Sequence, residues 1–446
     1  MNELALSFYT LLSPILLGAA EFFSPIHPKL RTFFRVRKGV FEELEQKMHK
    51  LPSSSFRLWV HAASVGEFEQ ARPVIAALKE NRPDITIFVS FLSDSGYNAR
   101  KNFPDASAVF YLPQDTPANA KRLLSLINPD VLLLMRYDFW PNHLLEAKRC
   151  GVKLILAAAV LRKNSPYFKP LLKGFYQSIF QLFDRIFTVS EQDTLAFRQI
   201  FNCQQAETAG DPRFDQVFLR SRNCARVDNL KPFFGNRTVL VAGSVWEKDE
   251  DLLLAAWKKL VDRPPLVLVP HEVNPENMAR LFRKLQNLSL EFMTVSALTE
   301  KFDPKQQLLV IDQTGYLAEL YSLASIAYVG GGFGINVHNT LEPAVHNIPV
   351  LFGPRCHNSP EAEGLVAAGG ARVIHNQHEL FTALKTLTTD TAQRKECGTK
   401  AGAFVKENIG ATTAIAQIIE GYQAINKNWP GHKKGQNSKE IPLKIN

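Results

Sequence analysis

The chain has 446 residues, 46% hydrophobic and 21% charged, which is enough for two or three domains with large cores. Its net charge of +9 comes without an arginine-rich stripe interleaved with aromatics, so nucleic acid is set aside, and an anionic substrate or an anionic membrane surface remains as partner. Five scattered cysteines (Cys150, Cys203, Cys224, Cys356, Cys397) form no CxxC pair, which argues for a reducing compartment and against a zinc site or a disulfide frame.

The chain opens on LALSFYTLLSPILLGAAEFF, Leu4 to Phe23, apolar apart from Glu21 and a few hydroxyls and interrupted by Pro14. Its length is about the 20 residues needed to cross a hydrocarbon core. No positive charge precedes it, as a signal peptide requires. The basic residues follow it instead: Lys29, Arg31, Arg35, Arg37 and Lys38. By the positive-inside rule they keep the body of the protein in the cytoplasm. Residues 1–40 therefore read as a membrane anchor with a basic flank, either spanning the bilayer or lying on it as an amphipathic helix.

Beyond residue 55, short apolar runs alternate with helix-length segments. The predicted strands are Leu58–Ala62, Ile85–Ser90, Ala108–Leu112, Val131–Met135, Leu154–Ala158 and Ile186–Ser190 in the first half. In the second half they are Val239–Gly243, Leu266–Pro270, Leu308–Ile311, Ile326–Gly330 and Val350–Gly353. Continuous Val/Ile/Leu runs of this kind indicate parallel strands buried on both faces. The periodicity lapses at RSRNCARVDNLKPFFGN, near 220–236. The sequence thus predicts two doubly wound α/β domains, 41–222 and 237–425, joined by a linker at 223–236 and followed by a polar, lysine-rich disordered tail at 426–446. Ligands in such folds bind beyond the carboxyl ends of the strands, and the expected site is a central cleft between the domains.

Several clusters fall at predicted strand ends. In WVHAASVGEFEQ, small residues lead into Gly66-Glu67 where a helix should open; the plain explanation is a favourable first-turn acid, the functional one a presented carboxylate. RYDFWPN places Asp138 and Trp140 just past a strand, and GDPRFD offers Arg213 for a phosphate. AGSVWEKDED opens an acidic helix that capping by Ser244 alone would explain, and PHE ends the next strand at His271. YVGGGFGINVHNTLEPA carries Gly331, Gly332, His338, Asn339 and Glu342. A helix starting near Asn339 would aim free N–H groups at an anion, with Glu342 one turn in to grip a ribose; a glycine turn with an Asn cap is the plain alternative. No HExxH, EF-hand, P-loop or GxSxG occurs, which removes metalloprotease, Walker-type ATPase and α/β-hydrolase chemistry.

Taken together, HAASVGE, FWPN, VSEQD, GDPRFD, and HNTLEPA followed by PVLFGP resemble the 3-deoxy-D-manno-octulosonic acid (Kdo) transferases, GT-B glycosyltransferases of lipopolysaccharide synthesis. The resemblance runs from the apolar N-terminus to about residue 425. It implies an inverting transfer of the octulosonate from CMP-Kdo to a lipid A precursor at the cytoplasmic face of the inner membrane, without a metal or other cofactor. Glu67 matches the general base, and Asp138 and Arg213 fall at further catalytic positions. His271, Gly315, Gly331, Gly332, His338, Asn339 and Glu342 fall at donor-holding positions, and Lys29, Arg31, Arg35, Arg37 and Lys38 would meet lipid phosphates. Three positions depart from the family: Arg136 stands where the first acid of E-T-E-L-W-P-N is usual, Arg213 replaces a lysine, and Pro270-His271 lacks the arginine of an R-H pair. The alternatives are a UDP-sugar-using GT-B transferase or epimerase, and a membrane-anchored binding protein that has lost catalysis.

Overall fold

A computed structural model describes residues 2–51, 56–161, 165–298, 307–357 and 359–427. The chain divides into two compact units, 1–213 with 410–446, and 214–409. Each is built on one seven-stranded, all-parallel sheet.

The first unit orders its strands β3-β2-β1-β4-β5-β6-β7. They are β1 (Arg57–Ala62), β2 (Thr86–Phe91), β3 (Ala108–Tyr111), β4 (Val131–Met135), β5 (Lys153–Ala159), β6 (Arg185–Thr188) and β7 (Ala206–Thr208). Helices α1 (Asn2–Phe22), α2 (Pro28–Arg35) and α3 (Val40–Met48) precede the sheet. The crossovers used below are α4 (Val65–Asn81), α5 (Asp94–Arg100), α6 (Pro117–Ile127), α7 (Pro141–Arg149) and α8 (Pro170–Phe180). The second unit has the order β10-β11-β9-β8-β12-β13-β14. Its strands are β8 (Leu240–Val245), β9 (Leu266–Pro270), β10 (Met293–Thr294), β11 (Leu308–Val310), β12 (Ile326–Val329), β13 (Val350–Phe352) and β14 (Ala371–Val373). Almost every residue of the central strands is buried, as a parallel sheet covered by helices on both faces requires.

The strands predicted from apolar runs all form. Those that went unpredicted, β7, β10 and β14, are two or three residues long and lie at sheet edges. What hides them is the lack of a continuous apolar run, β14 being Ala-Arg-Val and β7 Ala-Glu-Thr, whereas the edge strand β3, Ala-Val-Phe-Tyr and buried throughout, is announced by one.

The stretch 223–236 is not a linker. It forms a 3-10 helix, Ala225–Leu230, and a helical turn, Lys231–Phe234, whose Val227, Leu230 and Phe234 are buried in the second unit's core. Three apolar residues on one helical face anchor it, and the charged residues between them hide that spacing. The chain crosses between units within the helix Pro212–Ser221. The closing helix Ala411–Lys427 returns to the first unit, where Ile415 and Ile419 pack in the core that α4 lines, so 410–425 does not belong with the second unit. The expected tail lies, from residue 428 on, outside the described residues.

Helix α1 is long and apolar enough to cross a membrane, yet one of its faces is fastened to the first unit. Leu6 is buried in the core, the Tyr9 hydroxyl donates to Asp115 Oδ2 at 2.9 Å, and Asn142 Nδ2 donates to Ser13 Oγ at 2.8 Å. Asp115 is a junction: it also accepts from the backbone N–H groups of Asn142 and His143 at the start of α7, at 3.1 and 3.0 Å. The opposite face of α1 presents Leu4, Phe8, Leu11 and Ile15 outward, each more than 60% exposed.

Of the basic flank, Lys29, Arg31, Arg35 and Lys38 are exposed, but Arg37 is not. Its guanidinium donates to the carbonyls of Leu112 and Leu92, both at 2.8 Å, and of Phe33 at 3.0 Å, and it lies 3.7 Å from the centre of the Phe33 ring. Arg37 therefore does not face lipid. It satisfies carbonyls at the ends of β2 and β3, and burial lowers its pKa to about 10, which leaves it charged at neutral pH. Arg37→Ala strands these carbonyls and is expected to cost about 2–3 kcal/mol, read as a lower urea midpoint, whereas Lys29→Ala should leave the midpoint unchanged.

Candidate active site

In the first unit the candidate side chains gather where the strand order reverses, at the carboxyl ends of β1 and β4. Ser64 caps α4, its Oγ accepting from Glu67 N–H, and places Glu67 in the first turn. The Glu67 carboxylate folds back to accept from Ala63 N–H at 2.6 Å. The plain explanation of this acid is thus partly right: it closes the helix start. But burial pushes its pKa above the ordinary value, the Ala63 N–H opposes that, and Asp138 raises it further against the pull of His61 and Arg136. A half-buried carboxyl with a raised pKa and a neighbouring carboxylate is suited to accept a proton.

Asp138 is held by a chain of hydrogen bonds that its position alone does not announce. Trp59 Nε1–H donates to Ser90 Oγ at 2.8 Å, Ser90 Oγ lies 2.8 Å from His61 Nδ1, and His61 Nε2 lies 2.9 Å from Asp138 Oδ2. With a carboxylate at one end, the consistent arrangement puts the proton on Nε2 and lets Ser90 donate to Nδ1. His61 sits at the end of β1, inside a motif where Glu67 takes the attention.

Arg136 follows β4 with φ 63°, a left-handed conformation uncommon for a side chain of this size. Its Nε donates to Gln70 Oε1 at 2.7 Å and its Nη2 reaches Asp211 Oδ2 at 3.5 Å. Gln70 Nε2 donates to the other Asp211 oxygen at 2.8 Å. Arg213 grips the same carboxylate through Nε at 3.0 Å and Nη2 at 2.8 Å. Burial alone would raise the Asp211 pKa; Arg213 first, then Arg136, outweigh it and hold the carboxyl below its usual value. The arginine in place of the family's acid is therefore built into a cationic cluster with Arg213. Gln70 and Asp211, which organise it, carry no sequence signal beyond the turn in GDPRFD.

In the second unit the reversal lies between β8 and β12, and there too the residues converge. Trp246 Nε1–H donates to His338 Nε2 at 2.9 Å, and the His271 ring stacks on both, at 4.3 Å from the Trp246 ring centre and 4.4 Å from that of His338. Accepting at Nε2 places the His338 proton on Nδ1 in the neutral ring. Burial, and then His271, lower the His338 pKa to about 4, and burial lowers that of His271.

The helix Glu247–Lys258 is not capped by Ser244, which sits at φ 52° within β8. Asp249 reaches back to Trp246 N–H at 3.0 Å and, fully buried, also accepts from Tyr328 Oη at 2.8 Å and Gly331 N–H at 2.9 Å. The glycines after β12 are required by the protein's own chain. A Cβ on Gly331, at φ 92°, would meet the Asn336 carbonyl and the His338 ring, and one on Gly332 would meet the Gly353 backbone at 2.6 Å.

The remaining predicted donor residues lie apart from this stack. The helix expected near Asn339 is a single turn, Leu341–Ala344, and Asn339 Oδ1 accepts from Leu341 N–H at 3.1 Å; Pro343 bars helical backbone upstream of this turn, and Asn347, at φ 58°, stops it downstream. Glu342 lies 4.0 Å from Arg220, which also pairs with Glu319 at 3.1 Å. The Gly315 carbonyl accepts from Arg226 Nη1 at 3.2 Å, in the segment that reads as a linker in the sequence.

A histidine whose pKa falls on folding lets the unfolded chain bind protons first, so its contribution to stability is complete above pH 6.5 and fades as pH drops toward 4. Imidazole 15N NMR at pH 6 is expected to show His338 neutral with its proton on Nδ1, and Trp246→Phe should return it to a mixed tautomer.

The family model of the 3-deoxy-D-manno-octulosonic-acid transferases (kdotransferase) matches residues 34–216. The 3-deoxy-D-manno-octulosonic acid transferase of Haemophilus influenzae is 24% identical over 82% of this chain and 87% of its own, and that of Aquifex aeolicus 29% identical over 78% and 91%. Among solved structures, the UDP-GlcNAc 2-epimerase of Neisseria meningitidis superposes with a TM-score of 0.57, covering 82% of this chain and 100% of its own at 15% identity; a glycosyltransferase of Rickettsia africae gives 0.53, covering 84% and 99% at 13% identity. These likenesses show the α/β GT-B fold. Two doubly wound sheets carry their polar residues at the strand-order reversals, and along most of its length this chain is similar in sequence to 3-deoxy-D-manno-octulosonic acid transferases.

Proposed function

We propose that this protein is an inverting, metal-independent glycosyltransferase that moves 3-deoxy-D-manno-octulosonate from its CMP-activated form to a hydroxyl of a lipid A precursor. The observation that carries the mechanism is Glu67: a half-buried carboxyl in the first turn of α4, raised in pKa, beside the Asp138–His61 pair. In the transfer, the acceptor oxygen forms a bond to the anomeric carbon as that carbon's bond to the CMP phosphate oxygen breaks. The hydroxyl proton passes to Glu67, and the electron pair leaves with CMP. Burial, and then Asp138 held by His61, keep the Glu67 proton affinity high. Arg136 and Arg213 form the cationic patch of the same unit. The neutral His338, with its proton fixed on Nδ1, supplies a donor for the nucleotide without bringing charge.

Attachment is proposed to be to the cytoplasmic face of the bacterial inner membrane, with α1 lying along the surface. A helix hydrogen-bonded to its own domain at Tyr9 and Ser13 keeps that face from lipid, and the outward Leu4, Phe8, Leu11 and Ile15 suit the apolar boundary. Lys29, Arg31, Arg35 and Lys38 then meet anionic headgroups.

Incubation with CMP-Kdo and a tetra-acylated lipid A precursor, followed by mass spectrometry, is expected to show increments of octulosonate; absence of any increment from folded protein, or competition by uridine rather than cytidine nucleotides, overturns the reading. Glu67→Gln should lower turnover by about 10²–10⁴-fold. A carboxyl raised above the ordinary 4.5 must lose its proton before it can accept one, so kcat/KM should rise with pH through a pKa above 4.5. Because folding favours the protonated form of such a group, Glu67→Gln should not lower Tm at pH 7.

A further inference from the structure

Arg136 is held by its own chain along one edge only. Its Nε donates to Gln70 Oε1 at 2.7 Å, and its Nη2 reaches Asp211 Oδ2 at 3.5 Å, the outer limit of a hydrogen bond. A guanidinium carries five N–H donors in a planar fork. Nη1 donates to no described residue and keeps surface open to solvent, the side chain being 15% exposed. The clamp behind it is stiff: Gln70 is wholly buried, Asp211 is 2% exposed, and the two are bonded at 2.8 Å. An arginine fixed in this way at φ 63° loses little further freedom when its open end binds a ligand.

Place and charge indicate what that end meets. Gln70 lies three residues after Glu67 on α4, so the two are neighbours on one helix face, roughly 5–6 Å apart at Cβ. Through Gln70, Arg136 is therefore held within about one helical turn of Glu67. The acids nearby each have a closer partner. Asp211 is gripped by Arg213 through Nε at 3.0 Å and Nη2 at 2.8 Å, Asp138 is bonded to His61, and Glu67 accepts from Ala63 N–H. Among the described residues, Arg136 has no ion pair nearer than 3.5 Å. The fork matches the two oxygens of a carboxylate or phosphate, and such a charge-assisted pair is roughly twice as strong as a neutral hydrogen bond. A neutral hydroxyl would leave the charge unmatched.

We propose that Arg136 determines acceptor specificity by taking, through its Nη1 end, an anionic group that the acceptor bears close to its reacting hydroxyl; this rests on the transferase reading given above. The group is a phosphate of the lipid precursor or the carboxylate of an octulosonate already attached to it. Binding it on Arg136 sets the neighbouring hydroxyl against Glu67, so one contact both selects and orients the acceptor. The preference belongs to this chain, because Arg136 stands where an acid is usual in the family it resembles. An acid there would repel the group that the arginine attracts.

The test measures KM and kcat for the full chain in nanodiscs with two pairs of acceptors. One pair is the tetra-acylated precursor with and without its phosphates. The other is the precursor carrying one octulosonate, as the free acid and as its methyl ester. For wild type, removing the anion is expected to raise the acceptor KM about tenfold in at least one pair, with kcat within about twofold. A ratio in the first pair marks a lipid phosphate as the bound group, and one in the second marks the sugar carboxylate. Arg136→Gln should shrink the ratio below about twofold, and Arg136→Lys, which keeps the charge but not the fork, should leave about threefold. Asparagine accepts left-handed backbone readily, so Arg136→Asn decides the matter if the glutamine variant misfolds. A purely structural arginine would weaken transfer to both members of a pair alike; that outcome, or a wild-type ratio below about twofold in both pairs, overturns the proposal. Equilibrium binding of the same acceptors, without CMP-Kdo, is measured beside it. Anion-dependent binding that Arg136→Gln abolishes, with no transfer by wild type, overturns the proposed reaction alone, whereas transfer without anion dependence overturns the role of Arg136 alone.

Discussion

A parallel sheet covered on both faces leaves a polar side chain almost nowhere to go. The ladder consumes the backbone groups of the central strands, helices exclude water from both surfaces, and a charged residue within a strand would be buried without a partner. Polar residues are consequently displaced to the strands' carboxyl ends, and a crevice opens where neighbouring crossovers leave in opposite directions. Both units obey this. In the first, the reversal between β1 and β4 gathers His61, Glu67, Arg136 and Asp138. In the second, the reversal between β8 and β12 gathers Trp246, Asp249, Gly331 and His338. The strand order, more than any one motif, fixes where the chemistry can be.

Each cluster is then made rigid by a buried carboxylate that serves several donors at once. Asp211 binds Arg136, Gln70 and Arg213; Asp249 binds Trp246, Tyr328 and Gly331; Asp115 binds Tyr9, Asn142 and His143. A carboxylate with its lone pairs filled is tolerable in a dry interior, and one that loses a partner is costly. These acids therefore tie loops that are distant in sequence. Asp115 is the clearest case: it binds an apolar N-terminal helix to the start of the helix that follows Asp138. The asparagine of FWPN is held by that bond and by Ser13.

The Arg136 departure illustrates how such a network absorbs a change of sign. An acid at that position would stand near Asp138 and face Asp211, two like charges with little water between them. Arginine there neutralises part of Asp211 and joins Arg213, and its left-handed backbone is held by the Gln70 and Asp211 bonds.

Much of this was legible in the chain itself, because it rests on local chemistry. Unbroken Val/Ile/Leu runs announce strands buried on both faces, Ser64 three residues before Glu67 announces a helix start, and the apolar run from Leu4 to Phe23 announces a long apolar helix. Positions that combine special residue types at strand ends, such as Glu67, Asp138, Arg213, His271 and His338, could be singled out for the same reason. What depended on tertiary structure is everything set by partners far along the chain. Edge strands without apolar runs, the packed helix mistaken for a linker, the return of 411–427 to the first unit, and the burial of Arg37 against β2 and β3 all follow from contacts between distant segments. So do the roles of His61, Gln70, Asp211, Trp246 and Asp249. A hydrogen bond needs two groups within about 3 Å, and sequence order says which groups exist but not which of them the folded chain brings together.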